Sequence, residues 1–260
     1  MKTAQINGSQ FSEHFRTQQQ RAERILEDQS FHGLIISSGD SQYYWEDDQE
    51  IHFLPNPHFL HWLPIFSPYH LLHIQPGKAP NLLVYKPKNY WNEVISEREI
   101  PDLENLNLSF FEDREQLWSQ LSSLKNQAFI GPTNEFTENT NFTINPQPLI
   151  HHLNWNRAQK TPYEIDCIRT ANEIAAKAHT AAKDCFKGRG SELEIHHSYL
   201  KELQITDHEL PYPSIVALDK KSAILHYRAK RTSKNHNLLL IDAGYRFQGY
   251  CSDISRTYIR

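Results

Sequence analysis

Two aspartates stand where aspartates are costly. In LLLIDAGYRFQGYCSDISRTYI (238–259), Asp242 and Asp253 are eleven positions apart, and each lies in a run that otherwise reads as strand. A hairpin turning at Phe247–Gln248 places Asp242 directly opposite Asp253. Directly opposed side chains on a sheet have Cβ atoms about 4.5–5.5 Å apart. Two ionised carboxylates that close, with flanks as apolar as these, repel one another and are costly to desolvate. The spacing therefore predicts that one carboxyl is protonated or that a cation lies between the two. Hard oxygen ligands suit Mn²⁺ or a similar divalent ion. Two metal-free readings stand beside this one: Asp242, preceding Ala-Gly, caps a turn, and Asp253 pairs with Arg256. The pairing depends on the turn position, because a one-residue slip exchanges the faces of a strand.

The elements that must hold these residues are legible upstream. Thr161, Pro162 and Glu164 in TPYE fit N-cap, N1 and N3 of a helix, a capping box with the favoured first-turn proline. That helix is predicted to run to about Gly188, its stop, with Ile165, Ile168, Ala175, Ala178 and Ala182 in register. SELE (191–194) is a second capping box and opens a helix to about Gln204. SIVALD (214–219), AILHYR (223–228), NLLLIDAGY and GYCSDISRTYI read as extended.

The first half alternates strands and helices. Residues 11–28 fit an amphipathic helix, GLIISSG (33–39) a buried strand, HLLHI and NLLVYK a hairpin around QPGKAP, 112–124 a helix and 128–132 a strand. The prolines of 50–66 predict an extended, packed loop with no regular helix. TINPQPLIHHLNWNRAQK reads as a Pro- and Asn-rich boundary. The expected class is α/β, with domains at 1–155 and 156–260.

Composition narrows the function classes. Formal net charge is −4 and both signs are interspersed, so there is no basic face of the kind nucleic acid requires. The amino terminus has no apolar run, which predicts no secretory leader, and no stretch approaches the length of a transmembrane helix. Cys167, Cys185 and Cys251 are odd in number and widely spaced, which predicts reduced thiols and a cytoplasmic protein.

LLLIDAG and GYCSDISRTY together resemble the Asp-Ala-Gly … Asp-x-Thr/Ser-Arg-Thr signature of the pita-bread metallopeptidases, which include methionine aminopeptidase, aminopeptidase P and prolidase. LPYPSIVALD (210–219), FLPNPHFLHWLP and NLLVYKPKNYWNEV resemble the bacterial Xaa-Pro dipeptidases, so the likeness spans nearly the whole chain. The resemblance implies a mixed α/β amino-terminal domain followed by the first half of a pita-bread (creatinase/aminopeptidase-like) α+β domain. It implies hydrolysis of Xaa-Pro dipeptides with two divalent ions of the Mn²⁺ type. By the same likeness Asp242 and Asp253 are metal ligands, His226 in ILHY is the catalytic donor to the tetrahedral intermediate, and Tyr212 lines the substrate pocket. Read from their surroundings alone, His226 is equally a core histidine and Tyr212 a packing tyrosine.

A complete member of such a family supplies a further histidine and two glutamates from later strands. The resemblance therefore predicts a fragment or truncated product, inactive as it stands. The partner implied is a dipeptide, with neither nucleic acid nor membrane, and a homodimer is compatible with it. The alternatives are an aminopeptidase P, an organophosphorus acid anhydrolase, or a non-enzymatic remnant.

Overall fold

The computed structural model describes residues 8–90, 94–96 and 99–260. The Trp91–Glu93 part of NLLVYKPKNYWNEV and the first seven residues, read above for a leader, lie outside the described residues. The described chain forms two compact units that divide between Thr161 and Pro162.

The first unit is built on a six-stranded mixed sheet. Its strands are β1 (Gly33–Ser37), β2 (Leu71–Ile74), β3 (Asn81–Tyr85), β4 (Asn107–Phe111), β5 (Gln127–Ile130) and β6 (Thr143–Ile144), in the spatial order β4-β3-β2-β1-β5-β6. β1, β2 and β5 are buried along their whole length, which is why they read as continuous apolar runs. β2 and β3 form the expected hairpin, with Leu71 opposite Leu83. Helix α1 (Gly8–Asp28) buries Phe11, Phe15, Ala22, Ile25 and Leu26 on one stripe. α3 (Arg114–Ser122) is capped by Asp113 and packs Leu117, Trp118 and Leu121 against Ile35, Leu83 and Phe129.

Three features of this unit correct the sequence reading or add to it. The proline-rich stretch contains one helical turn, α2 (Pro57–Leu60), because the Asn56 side chain accepts from His58 N and Pro57 occupies a first-turn position. A further turn, α4 (Glu135–Glu138), is closed by an Asn134 capping box. The stretch read as a boundary contains helix α5 (Gln147–Ala158), in which only Leu149 is buried. With one buried residue it has no apolar period to betray it.

The second unit places two helices on one face of a three-stranded antiparallel sheet. The helices are α6 (Pro162–Lys187) and α7 (Glu192–Leu203). The strands are β7 (Ile215–Leu218), β8 (Leu238–Ala243) and β11 (Ile254–Ile259), in the order β11-β8-β7. The short β9 (Arg246–Phe247) and β10 (Tyr250–Cys251) make the tip of the β8–β11 hairpin. α6 begins at Pro162 as expected, but its inner face is Tyr163, Cys167, Ala171, Ala175, Ala178, Ala182 and Phe186. Ile165 is 45% exposed instead. The alanines let the helix approach Leu239, Ile241 and Ala243 closely, and these residues share one core with Tyr199 of α7. Burying a side chain the size of Phe186 is worth about 1.5–3 kcal/mol. α7 has the capping box read from SELE. The left-handed residue that ends α6 is Arg189 (φ 69), one past the predicted Gly188.

Candidate metal centre

β8 alternates: Leu239, Ile241 and Ala243 are buried against the helices, and Leu238, Leu240 and Asp242 are half-buried on the opposite face. A period of two puts Asp242 on the face the helices do not cover. Asp253 lies in the break between β10 and β11 and is exposed.

The hairpin turns at Gln248 and Gly249, both with positive φ (52° and 84°), and Phe247 pairs with Tyr250. The predicted turn was one residue earlier. A two-residue turn of this hand needs positive φ at both central positions, which Gly249 accepts and Phe247 would resist. Moving the turn by one residue moves every partner by two. Asp242 is therefore opposite Ser255, not Asp253. A shift of two preserves the face, and the two carboxylates still converge.

They converge on Tyr212. Its hydroxyl lies 2.8 Å from a carboxylate oxygen of Asp242 and 2.8 Å from one of Asp253. The two carboxylates are therefore within twice that distance of one another. A phenol has one proton to donate. It can serve one carboxylate fully or be shared, and the other oxygen pair is left at contact distance without its own proton. Burial, and then the bonds to Asp253 and Asp242, raise the Tyr212 pKa well above that of an ordinary tyrosine. The hydroxyl therefore keeps its proton. Tyr212 sits between Pro211 and Pro213, whose fixed φ values stiffen the approach to β7.

Neither of the two partners read for the aspartates without a metal is the one found, since both bond to Tyr212. Asp242 lies within β8, one residue before its end, and pairs across the ladder with Ser255. Arg256 faces the other side of β11, opposite Ile241, and its Nη1 donates to the Ser255 carbonyl. Among the described residues it makes no ion pair with Asp253.

The backbone beyond Asp242 is held by the helices. His179 of α6 donates from Nε2 to the Ala243 carbonyl at 3.0 Å, and the Tyr199 hydroxyl of α7 donates to the Gly244 carbonyl at 3.0 Å. Burial holds the His179 imidazole below its usual pKa, so it stays neutral with its proton on Nε2. Gly244 is required here: a Cβ would lie 2.0 Å from the Ser252 carbonyl oxygen. Ser252 in turn accepts from Tyr245 N through Oγ at 3.0 Å. His179, Tyr199 and Ser252 escaped the sequence reading. Their only signal is polarity on otherwise apolar faces, which does not reveal a bond to a distant carbonyl.

His226 is elsewhere than expected. AILHYR is not a strand. A 3-10 turn at Asp219–Ala223 leads into a turn at Leu225–His226, with His226 exposed. β8 takes β7 as its direct neighbour, so the segment between them loops away from the sheet. The adjoining Tyr227 is buried and packs with Ile215, Ala217 and Leu240, on the Asp242 side of the sheet. The structure thus brings Tyr212, Asp242 and Asp253 together, and His226 into hydrogen bond with none of them.

Residues 9–155 match the family described as Xaa-Pro dipeptidase, N-terminal domain. The chain belongs to that family. Residues 166–260 match Metallopeptidase family M24. The chain is 37% identical over 253 residues to an Xaa-Pro dipeptidase of Pseudoalteromonas haloplanktis, covering 95% of this chain and 58% of the relative. It is 37% identical over 260 residues to Xaa-Pro dipeptidase 2 of Idiomarina loihiensis, covering 96% and 59%. The chain thus spans somewhat over half the length of these curated relatives. Among solved structures it resembles E. coli aminopeptidase P with the inhibitor Pro-Leu, at TM-score 0.72 and 19% identity over 95% of this chain and 62% of that one. Proline aminopeptidase P II from Yersinia pestis has TM-score 0.67 and 20% identity over 95% and 63%. At such identities the likeness is one of fold, the mixed α/β and pita-bread architecture expected from the sequence.

The donor set fits a hard divalent cation in part. Two carboxylates each bring an oxygen to 2.8 Å from one phenol oxygen. Among the described residues no group of three or more His, Cys, Asp or Glu side chains gathers there or elsewhere.

Proposed function

We propose that this chain carries part of the machinery for hydrolysing Xaa-Pro dipeptides with divalent metal ions, with its catalytic region beginning after α5. The observation that carries the reading is the convergence of Asp242 and Asp253 on one hydroxyl, 2.8 Å from each. It sits in a chain belonging to the Xaa-Pro dipeptidase family. Asp242 and Asp253 would hold the cation side of the site, and Mn²⁺ is among the divalent ions that hard oxygens suit. Bound there, a divalent ion supplies Lewis acidity toward a carbonyl and toward water.

The chain's own residues do the rest. Tyr212 orients both carboxylates through its retained proton, and by the family likeness it would line the substrate pocket. His226, exposed on its turn, offers a donor to an oxyanion developing on the scissile carbonyl. His179 and Tyr199 fix the backbone on which Asp242 stands.

Mn²⁺-dependent thermal stabilisation tests this. A ligand that binds only the folded state raises stability with its concentration. A rise in Tm with Mn²⁺ that is absent from Asp242→Asn and from Asp253→Asn is the expected result. An equal rise in all three proteins would place the metal elsewhere.

A further inference from the structure

We infer that Glu192 is the positioning residue for the His226 turn, an assignment that rests on the role proposed for His226. Glu192 is the first residue of α7 and is fully buried. One carboxylate oxygen accepts from Leu218 N and Lys221 Nζ, both at 3.1 Å. The other accepts from the Tyr227 hydroxyl at 2.7 Å and Arg231 N at 2.9 Å. The donors come from the end of β7, from the 3-10 turn, from the residue after His226, and from the far side of the loop. One side chain thus closes the segment 218–231 at both ends and in the middle.

A buried carboxylate is costly unless its lone pairs are filled. Here burial alone would raise the Glu192 pKa, but four donors outweigh it and hold the carboxyl below its usual range. The position at the start of a helix favours the negative charge as well. Glu192 therefore stays ionised, and every donor it recruits belongs to the His226 segment or its boundary. Leu193 N adds a bond to the Arg231 carbonyl at 3.2 Å. Asp219 fastens the return to β8, accepting from Asn237 N and Leu238 N at 3.0 Å each. Ile224 and Leu225 are 54% and 85% exposed, so the turn's own apolar side chains do not hold it. Tyr227 does, and its hydroxyl is bonded to Glu192.

The test is NMR of the full 260-residue chain labelled with ¹³C-histidine and ¹⁵N, with no metal added. Glu192→Gln is expected to move the His226 ring signals to those of a histidine in a short peptide of this segment. It should also speed exchange of the Arg231 amide about tenfold or more, as loss of a hydrogen bond to a charged group implies. The His179 signals should stay in place, reporting an intact sheet and helices. Tyr227→Phe, which removes a single donor, should move His226 in the same direction. Unchanged His226 signals in either variant would overturn the assignment. So would His179 and His226 moving together in Glu192→Gln, which would make Glu192 only a support of the whole fold. Should Glu192→Gln fail to fold, Tyr227→Phe carries the test. The readout needs no metal, so failure here leaves the metal-site reading standing, and failure of metal binding leaves this assignment standing.

Discussion

Asp242 and Asp253 each lie 2.8 Å from the same oxygen, the hydroxyl of Tyr212. Two acceptors sharing one proton form an arrangement that a cation would complete. Among the described residues the phenol is the donor that bridges them. Tyr212→Phe removes it and should lower stability by about 1.5 kcal/mol, the lower end for hydrogen bonds to charged groups, since Asp253 is exposed. The urea midpoint in chelator reports this. An unchanged midpoint would mean that the bridge adds nothing to the fold.

Gly244→Ala bears on the same site through the backbone. The added Cβ meets a carbonyl oxygen of Ser252, an atom with little freedom to retreat. The expected cost is about 1–3 kcal/mol, the range for overpacking. Because Ser252 adjoins Asp253, stabilisation by Mn²⁺ should weaken in parallel. Wild-type Mn²⁺ response in a destabilised Gly244→Ala protein would separate the break in the ladder from the site.

His70 predicts a pH dependence for the first unit. Its Nδ1 accepts from Tyr85 N at 3.1 Å, and Nε2 donates to Ser67 Oγ at 2.6 Å. Burial lowers its pKa from 6.5 to about 4. The folded state thus favours the neutral ring. The stability this gives is fully present above pH 6.5, falls as pH drops below it, and is gone below about pH 4. The gap corresponds to about 3 kcal/mol. Urea midpoints between pH 7 and pH 4.5 should fall more for the wild type than for His70→Gln. Equal slopes would contradict the assignment.

The donor count predicts the behaviour of the chain in solution. Two carboxylates and no third metal-binding side chain gathered among the described residues make a weak site for a catalytic ion pair. The purified 260-residue chain with Mn²⁺ should release no proline from a Gly-Pro dipeptide. Sustained, Mn²⁺-dependent release would show that two carboxylates suffice.

Much of this was legible in the residue pattern, and what was missed has physical causes. The alternation around Asp242 gave its face, and Ser191 with Glu194 announced α7, because period and capping are local. The pairing of Asp242 was off by two because the hairpin's centre hangs on a single choice between Phe247 and Gly249 as a turn residue. His226 was placed on a strand because ILHY is apolar. Its real position is set by Glu192, more than thirty residues upstream, which reads in sequence only as an acidic residue after a helix cap. Tyr212 was named from resemblance, but that its hydroxyl joins both aspartates depends on a loop between two prolines whose course no periodicity reveals. α5 was missed because it buries a single leucine.

The most direct measurement of the central claim is site-resolved broadening by Mn²⁺. In protein carrying ¹³C-labelled tyrosine, substoichiometric Mn²⁺ should broaden the Tyr212 ring signals before those of the other tyrosines of the second unit. The effect should vanish in Asp242→Asn. Uniform broadening, or broadening centred away from Tyr212, would contradict the assignment of Asp242 and Asp253 as the metal-holding pair.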